Sequence, residues 1–169
     1  MWINSDIKNV KIWKSKNFKY FEQWACFSLK NTLIKYNYEN IKYEDDDYKE
    51  IKNKLKQDGI LFKIDFYKKR IIKFNLVLKY QELIDKLQLI NNNNCSIVII
   101  ENRFGVKNFK NIENEIKLLE NLNINILAVF ITEPNMYMKP FYHIWNFLYN
   151  LAEVKPDKEK CIFVGAGAG

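Results

Sequence analysis

"CSIVIIE", residues 95–101, is an almost unbroken apolar run rich in β-branched side chains, and it stops abruptly at Asn102 and Arg103. A strand with one wet face would alternate polar and apolar residues, so a continuous run of this length predicts a strand buried on both faces. On its amino side, "YQELIDKLQLI" (80–90) places Leu83, Leu87 and Ile90 at helical spacing. On its carboxyl side, "NIENEIKLLENLN" (111–123) predicts a second helix and "INILAVFIT" (124–132) a second buried strand. Further out, "PFYHIWNFLYNLAEV" (140–154) predicts a third helix and "KCIFVG" (160–165) a last strand ending at Gly165. Helices alternating with two-sided strands predict an open α/β domain, a mainly parallel sheet covered on both faces.

The amino-terminal part is less regular. Alternation around Val10, Ile12 and Trp13 predicts a short strand near the surface, and residues 23–30 read as another strand. Residues 37–58 are strongly charged, with "EDDD" at 44–47 and "IKNKLKQDG" (51–59) predicting a short helix stopped by Gly59. "ILFKIDFYKKRIIKFNLVL" (60–78) predicts a hairpin whose turn is Tyr67 to Arg70. Residues 1–169 are expected to form one domain, with 44–72 as an insertion beside the sheet.

Composition narrows the classes. A chain that is 48% hydrophobic and 15% aromatic can bury a core, which excludes a disordered tail. Twenty-seven Lys and Arg against 20 Asp and Glu give a net charge of +7, attractive to nucleic acid or acidic proteins, although the lysines are dispersed rather than clustered. Abundant Lys, Asn, Ile and Tyr beside only 5 Gly and 3 Pro suit A+T-rich codons, and the asparagine run at 91–94 need mean no more than that. Such codons suit a virus, an intracellular parasite or an extrachromosomal element. Cys26, Cys95 and Cys161 are odd in number and lie beside apolar runs, so they read as reduced residues of an intracellular protein, cytoplasmic or nuclear, or of a virion or viral assembly. No signal peptide, membrane-spanning run or metal-ligand spacing is seen, and neither a cofactor nor a membrane is expected.

In open α/β folds ligands meet the carboxyl ends of the strands. That rule gathers Ser28 and Lys30, Glu101 and Asn102, Thr132 and Glu133, and Gly165 and Ala166 on one rim. The rim segments resemble the motifs of haloacid dehalogenase (HAD)-like phosphatases, and most of all the polynucleotide kinase 3′-phosphatase domain. "ACFSLKNTLI" (25–34) resembles the first motif, an apolar strand ending in Asp-x-Asp-x-Thr-Leu. "SIVIIENRFGV" (96–106) resembles a strand followed by Thr-Asn-Gln-x-Gly, "MKPFYHIWNFL" (138–148) resembles Arg-Lys-Pro-x-x-x-x-Trp, and "CIFVGAGAG" (161–169) resembles Phe-Val-Gly-Asp-Ala-Ala-Gly. The four segments come in the family's order. The resemblance implies a Rossmannoid three-layer α/β sandwich with a β-hairpin insertion.

It also implies a loss of chemistry. The family's nucleophilic Asp, its acid/base Asp and its Mg²⁺-binding Asp correspond to Ser28, Lys30 and Ala166, and Glu101 stands where a hydroxyl residue is usual. Neither a hydroxyl, an ammonium nor a methyl group replaces carboxylate oxygen around a hard cation. The expectation is a pseudoenzyme of the HAD phosphatase type with no metal site and no catalytic residues. An anion-binding remnant would comprise Lys30, Asn31, Thr32, Asn102 and Lys139, and either it binds phosphate weakly or a Lys30 to Glu101 ion pair closes it. Lys139 is equally readable as an exposed lysine before Pro140 at a helix start. Gly105, Pro140 and Gly165 persist as scaffold.

The expected role is therefore a structural, self-assembling or binding protein with a protein partner. A nucleic-acid-binding accessory protein and a residual DNA 3′-phosphatase are the alternatives. For nucleic acid the best local candidate is Tyr67, Lys68, Lys69 and Arg70, an aromatic ring beside three cations, though the same residues suit an ordinary hairpin turn. His143 is read as structural, and the 44–47 carboxylates as a solvated face.

Overall fold

The computed structural model describes residues 1–29, 32–40, 53, 69–76, 80–103, 112–133, 135–137, 139 and 142–165. Among the described residues eight strands and three α-helices run in the order β1 (Trp2–Ile3), β2 (Val10–Lys14), β3 (Gln23–Phe27), β4 (Ile34–Asn40), β5 (Lys69–Leu76), α1 (Tyr80–Asn92), β6 (Cys95–Asn102), α2 (Ile112–Glu120), β7 (Ile126–Ile131), α3 (His143–Leu151) and β8 (Ile162–Val164). A 3₁₀ turn, Lys158–Lys160, precedes β8. Six strands form one sheet in the order β1-β2-β7-β6-β3-β8, and β4 and β5 form a separate pair. Pairings β3 with β6, β3 with β8 and β6 with β7 are parallel, whereas β1 with β2 and β2 with β7 are antiparallel. The fold is thus α/β with a mixed, mostly parallel sheet.

Side chains of the central strands divide between two apolar clusters because successive residues of a strand point to opposite faces. Ala25, Phe27, Ile97, Ile99, Ala128 and Phe130 join Leu83 and Leu87 of α1 and Ile116 and Leu119 of α2. Trp24, Cys26, Val98, Ile100, Val129 and Ile131 join Ile144 and Leu148 of α3. Every residue of β7 is buried and only Asn102 of β6 is partly open, as two-sided packing of apolar runs requires.

The asparagines at 91–94 have work to do in a chain poor in glycine. Asn94 takes a left-handed φ of 53° at the end of α1, and Asn123 does the same after α2 with φ 54°. Asn is the residue that best tolerates this conformation after Gly. Asn93 Nδ2 donates to Leu89 O at 2.8 Å, and Asn91 joins α1 to the start of β6 by donating to Cys95 O and to the residue before β7 by accepting from Asn125 N, both at 3.2 Å.

Several expectations are corrected. The strand of residues 23–30 ends at Phe27, because the chain turns at Leu29. β2 is no surface strand: Val10, Ile12 and Trp13 are 2%, 1% and 2% exposed, since β1 extends the sheet beyond it. Lys69 and Arg70 do not form a turn but open β5, where their backbones pair with Asn40 and Glu39. The partner strand, "IKYNYEN", alternates apolar and polar residues, a pattern hidden under its Lys, Asn and Glu content. Residues 60–66, Tyr67, Lys68, the 44–47 carboxylates and, apart from Asn53, the short helix before Gly59 lie outside the described residues. Finally, β8 is not buried: Ile162, Phe163 and Val164 are 56%, 39% and 41% exposed at the sheet edge.

Candidate functional site

Parallel β3, β6 and β8 end side by side, and the rim is built from the residues that follow. Ser28 N donates to Val164 O at 3.0 Å, carrying the β3–β8 ladder one residue further. The chain then folds back around Leu29, whose carbonyl accepts from the amides of Thr32, Leu33 and Ile34 at 3.4, 3.1 and 2.9 Å. Leu29 itself is fully buried, so a single apolar side chain pins a polar turn to the core. Glu101, at the end of β6 and only 6% exposed, accepts from Leu29 N at 2.8 Å. This charge-assisted bond ties the turn after β3 to the neighbouring strand.

Lys139 enters from the loop before α3. Asn102 fixes its backbone from both sides, donating from Nδ2 to Lys139 O at 2.9 Å and accepting at Oδ1 from Lys139 N at 3.0 Å. With the backbone held, Lys139 Nζ donates to Ser28 Oγ at 2.8 Å and lies 5.4 Å from the Phe163 ring centre. Burial pushes the Lys139 amine below its ordinary value of 10.5, and the negative charge of Glu101 partly opposes that shift. Gly165 closes the same space: a Cβ there would stand 2.8 Å from Ser28 Oγ and 2.9 Å from Phe163 Cε1. Close approach of side chains, rather than backbone angle, favours glycine at this position.

Beyond Asn102 the rim is braced internally. Arg103 and Glu115 form a buried bidentate pair, with Nη2 donating to Oε1 at 2.9 Å and Nη1 to Oε2. Thr132 donates from both its amide and its hydroxyl to Asn9 O, and Asn9 Nδ2 donates to Glu133 Oε2 at 2.8 Å. Those two rim residues therefore anchor the start of β2. A cleft of about 680 Å³ lined by Trp2, Ser5, Lys8, Asn9 and Glu113 includes none of Ser28, Asn102, Lys139 or Gly165.

The structure brings Ser28, Asn102, Lys139 and Gly165 together and places Thr32 in the adjoining turn. Lys30, Asn31, Gly105, Pro140 and Ala166 lie outside the described residues, and with them the expected Lys30 to Glu101 pair. Lys69 and Arg70 belong to β5. His143 stacks on Tyr142 with ring centres 4.2 Å apart, and its Nδ1 is the one buried side-chain nitrogen or oxygen without a hydrogen-bond partner among the described residues. Sequence reasoning missed Leu29 as the pin, Asn102 as the clamp on Lys139, and the Arg103–Glu115 brace. Only Asn102 carried a signal, as a polar residue closing an apolar strand.

An ammonium has three N–H donors, and among the described residues Ser28 takes one of Lys139's. An anion could meet the others. A hard divalent cation fits less well, because the described residues hold no group of three His, Cys, Asp or Glu and the Lys139 ammonium stands against Ser28.

Fold and rim together define an open α/β domain that presents a lysine and a hydroxyl at the carboxyl ends of its parallel strands. The family model for polynucleotide kinase 3 phosphatase matches residues 23–169, and the chain belongs to that family. No curated protein matches the chain. No helix among the described residues is long and apolar enough to cross a membrane.

Proposed function

We propose that this chain is a non-catalytic member of the 3′-phosphatase family, a HAD-like three-layer domain retained as a binding protein whose rim holds a nucleic-acid phosphate without hydrolysing it. The observation that carries this reading is the contact between Lys139 Nζ and Ser28 Oγ at 2.8 Å. A cation stands there against the residue that the motif resemblance aligns with the nucleophile. Ser28, Lys30 and Ala166 replace three carboxylates in that alignment, and the Lys139 ammonium held at Ser28 disfavours a divalent cation there. Loss of positioned acid–base help alone costs about 10² to 10⁴ in rate. An ammonium still attracts phosphate as a point charge, although it does not polarise phosphorus as a divalent ion does. Apolar clusters on both faces of the sheet support the three-layer reading.

A second reading, assembly with a protein partner or with further copies, draws support from exposed Ile162, Phe163 and Val164 on the edge strand.

Incubation with a 3′-phosphorylated oligonucleotide and Mg²⁺ separates binding from turnover. The expected result is retention of the phosphate, with affinity that drops in Lys139→Ala. Metal-dependent release of phosphate that vanishes in Ser28→Ala would overturn the proposal.

A further inference from the structure

At the edge of the sheet opposite β8, the loop between β1 and β2 and the first turn of α2 line the cleft of about 680 Å³. Its polar groups hold the loop in shape. Ser5 Oγ accepts from Ile7 N at 3.2 Å and donates to Ile7 O at 3.3 Å, and Val10 N donates to Ile7 O, also at 3.3 Å. Asn9, in a left-handed conformation with φ 65°, is tied to Thr132 and Glu133. A loop fixed at this many points is a preformed wall, and the volume is that of a small-molecule site.

The side chains that remain are an indole, two ammonium groups and one carboxylate. Trp2 packs against the buried Phe130 ring, with ring centres 6.2 Å apart, yet stays 42% exposed. It pairs with Trp13 across the strands, and Lys11 precedes Trp13 by two residues, so the indole and the Lys11 side chain share one face of the sheet. Lys8 lies on the loop and Glu113 in the first turn of α2. All three charged groups are exposed, and none makes an ion pair among the described residues. Asp6, the loop's other charge, lies outside the lining.

Charge and ring together select the occupant. Lys8 and Lys11 against Glu113 leave one positive charge in excess, which a single negative charge balances, whereas a dianion would bring its second charge against Glu113. The open part of the indole adds a flat apolar surface against which another aromatic ring packs. Isolated exposed rings are ordinary, but this one lines a concave, preformed space.

We infer that this cleft is a binding site for a small planar aromatic carboxylate, whose ring lies against Trp2 and whose charge is held by Lys8 and Lys11. The site shares no residue with the Lys139 rim, so it stands independently of the preceding reading.

The test is a heteronuclear NMR titration of the full chain with naphthoate, following the indole N–H signals of the four tryptophans. One signal, missing in Trp2→Phe, is expected to shift saturably, while that of Trp24, whose Nε1 donates to Phe21 O at 2.9 Å, stays in place. Lys8→Gln/Lys11→Gln is expected to weaken naphthoate about 2- to 30-fold, the loss of two exposed ion pairs, with the rest of the spectrum unchanged. Glu113→Gln is expected to strengthen it. Naphthylmethylammonium, the ring with the opposite charge, and acetate, the charge without the ring, are both expected to bind more weakly. A Trp2 signal that does not move at millimolar naphthoate overturns the site, and so does a shift that is lost in Lys139→Ala, which would assign the anion to the rim. Unchanged affinity in the double lysine variant, or equal affinity of wild type for acetate or naphthylmethylammonium, overturns the assigned class of ligand.

Discussion

Lys139 and Ser28 are 111 residues apart in sequence, yet Lys139 Nζ donates to Ser28 Oγ at 2.8 Å. The contact needs three other residues. Asn102 clamps the Lys139 backbone, Glu101 holds the turn that begins at Leu29, and Gly165 leaves the space in which the two side chains meet.

Anion binding should depend on pH through Lys139. Burial lowers this amine from 10.5, so the ammonium is lost at a lower pH than in the unfolded chain. Sulfate, whose charge is constant across the range, is therefore expected to lose affinity as pH rises through that lowered value. Stability moves the other way. Between the lowered and the ordinary value the unfolded chain binds the extra proton, so stability rises with pH in that window, and the burden of the buried charge is fully present below it. Denaturant unfolding of wild type and Lys139→Met should give a difference favouring the variant most at neutral pH and shrinking above it. A difference that does not change with pH would refute the assignment.

Gly165→Ala should destabilise the protein by about 1–3 kcal/mol, the usual range for overpacking. Its new methyl would press on Ser28 Oγ and the Phe163 ring. In a Ser28→Gly background one of the two clashes is gone, so the double-mutant cycle should show coupling of at least ~0.5 kcal/mol. Additive losses would mean that the two residues do not share this space.

Glu115→Ala should cost about 3–5 kcal/mol, because it leaves the Arg103 guanidinium charged and without its bidentate partner in a buried site. Arg103→Met combined with Glu115→Leu should recover most of that loss, since apolar packing often replaces a buried pair at little net cost. Urea midpoints of the single and double variants provide the check, and a double variant as unstable as the single would contradict it.

Cys26 should resist alkylation in the native state. Burial pushes its thiol up to about 12, and a thiolate is needed for attack. Cys95 is also buried and its thiol is raised by burial, whereas Cys161 is partly exposed at the entry to β8. Iodoacetamide at pH 8 is expected to add one equivalent, mapped by mass spectrometry to Cys161. Three equivalents before unfolding would show that the core opens more readily than its packing implies.

Local pattern determined a large part of this protein. The apolar runs at 95–101 and 124–132 specified two-sided strands, helical spacing specified α1, α2 and α3, and the end of each parallel strand located Ser28, Asn102 and Gly165 on one rim. These features depend on near neighbours, and periodicity records near neighbours. Tertiary structure decided what pairing and depth decide. "IKYNYEN" meets β5 across a gap in sequence, β2 is buried because β1 and β7 flank it, and β8 is exposed because it ends the sheet. The role of Asn102 was settled in the same way, since an amide can face an anion or grip a backbone, and only the arrival of Lys139 from a distant loop directs it to the second. Side-chain chemistry is written in the chain, but the partner that fixes its use is brought by the fold.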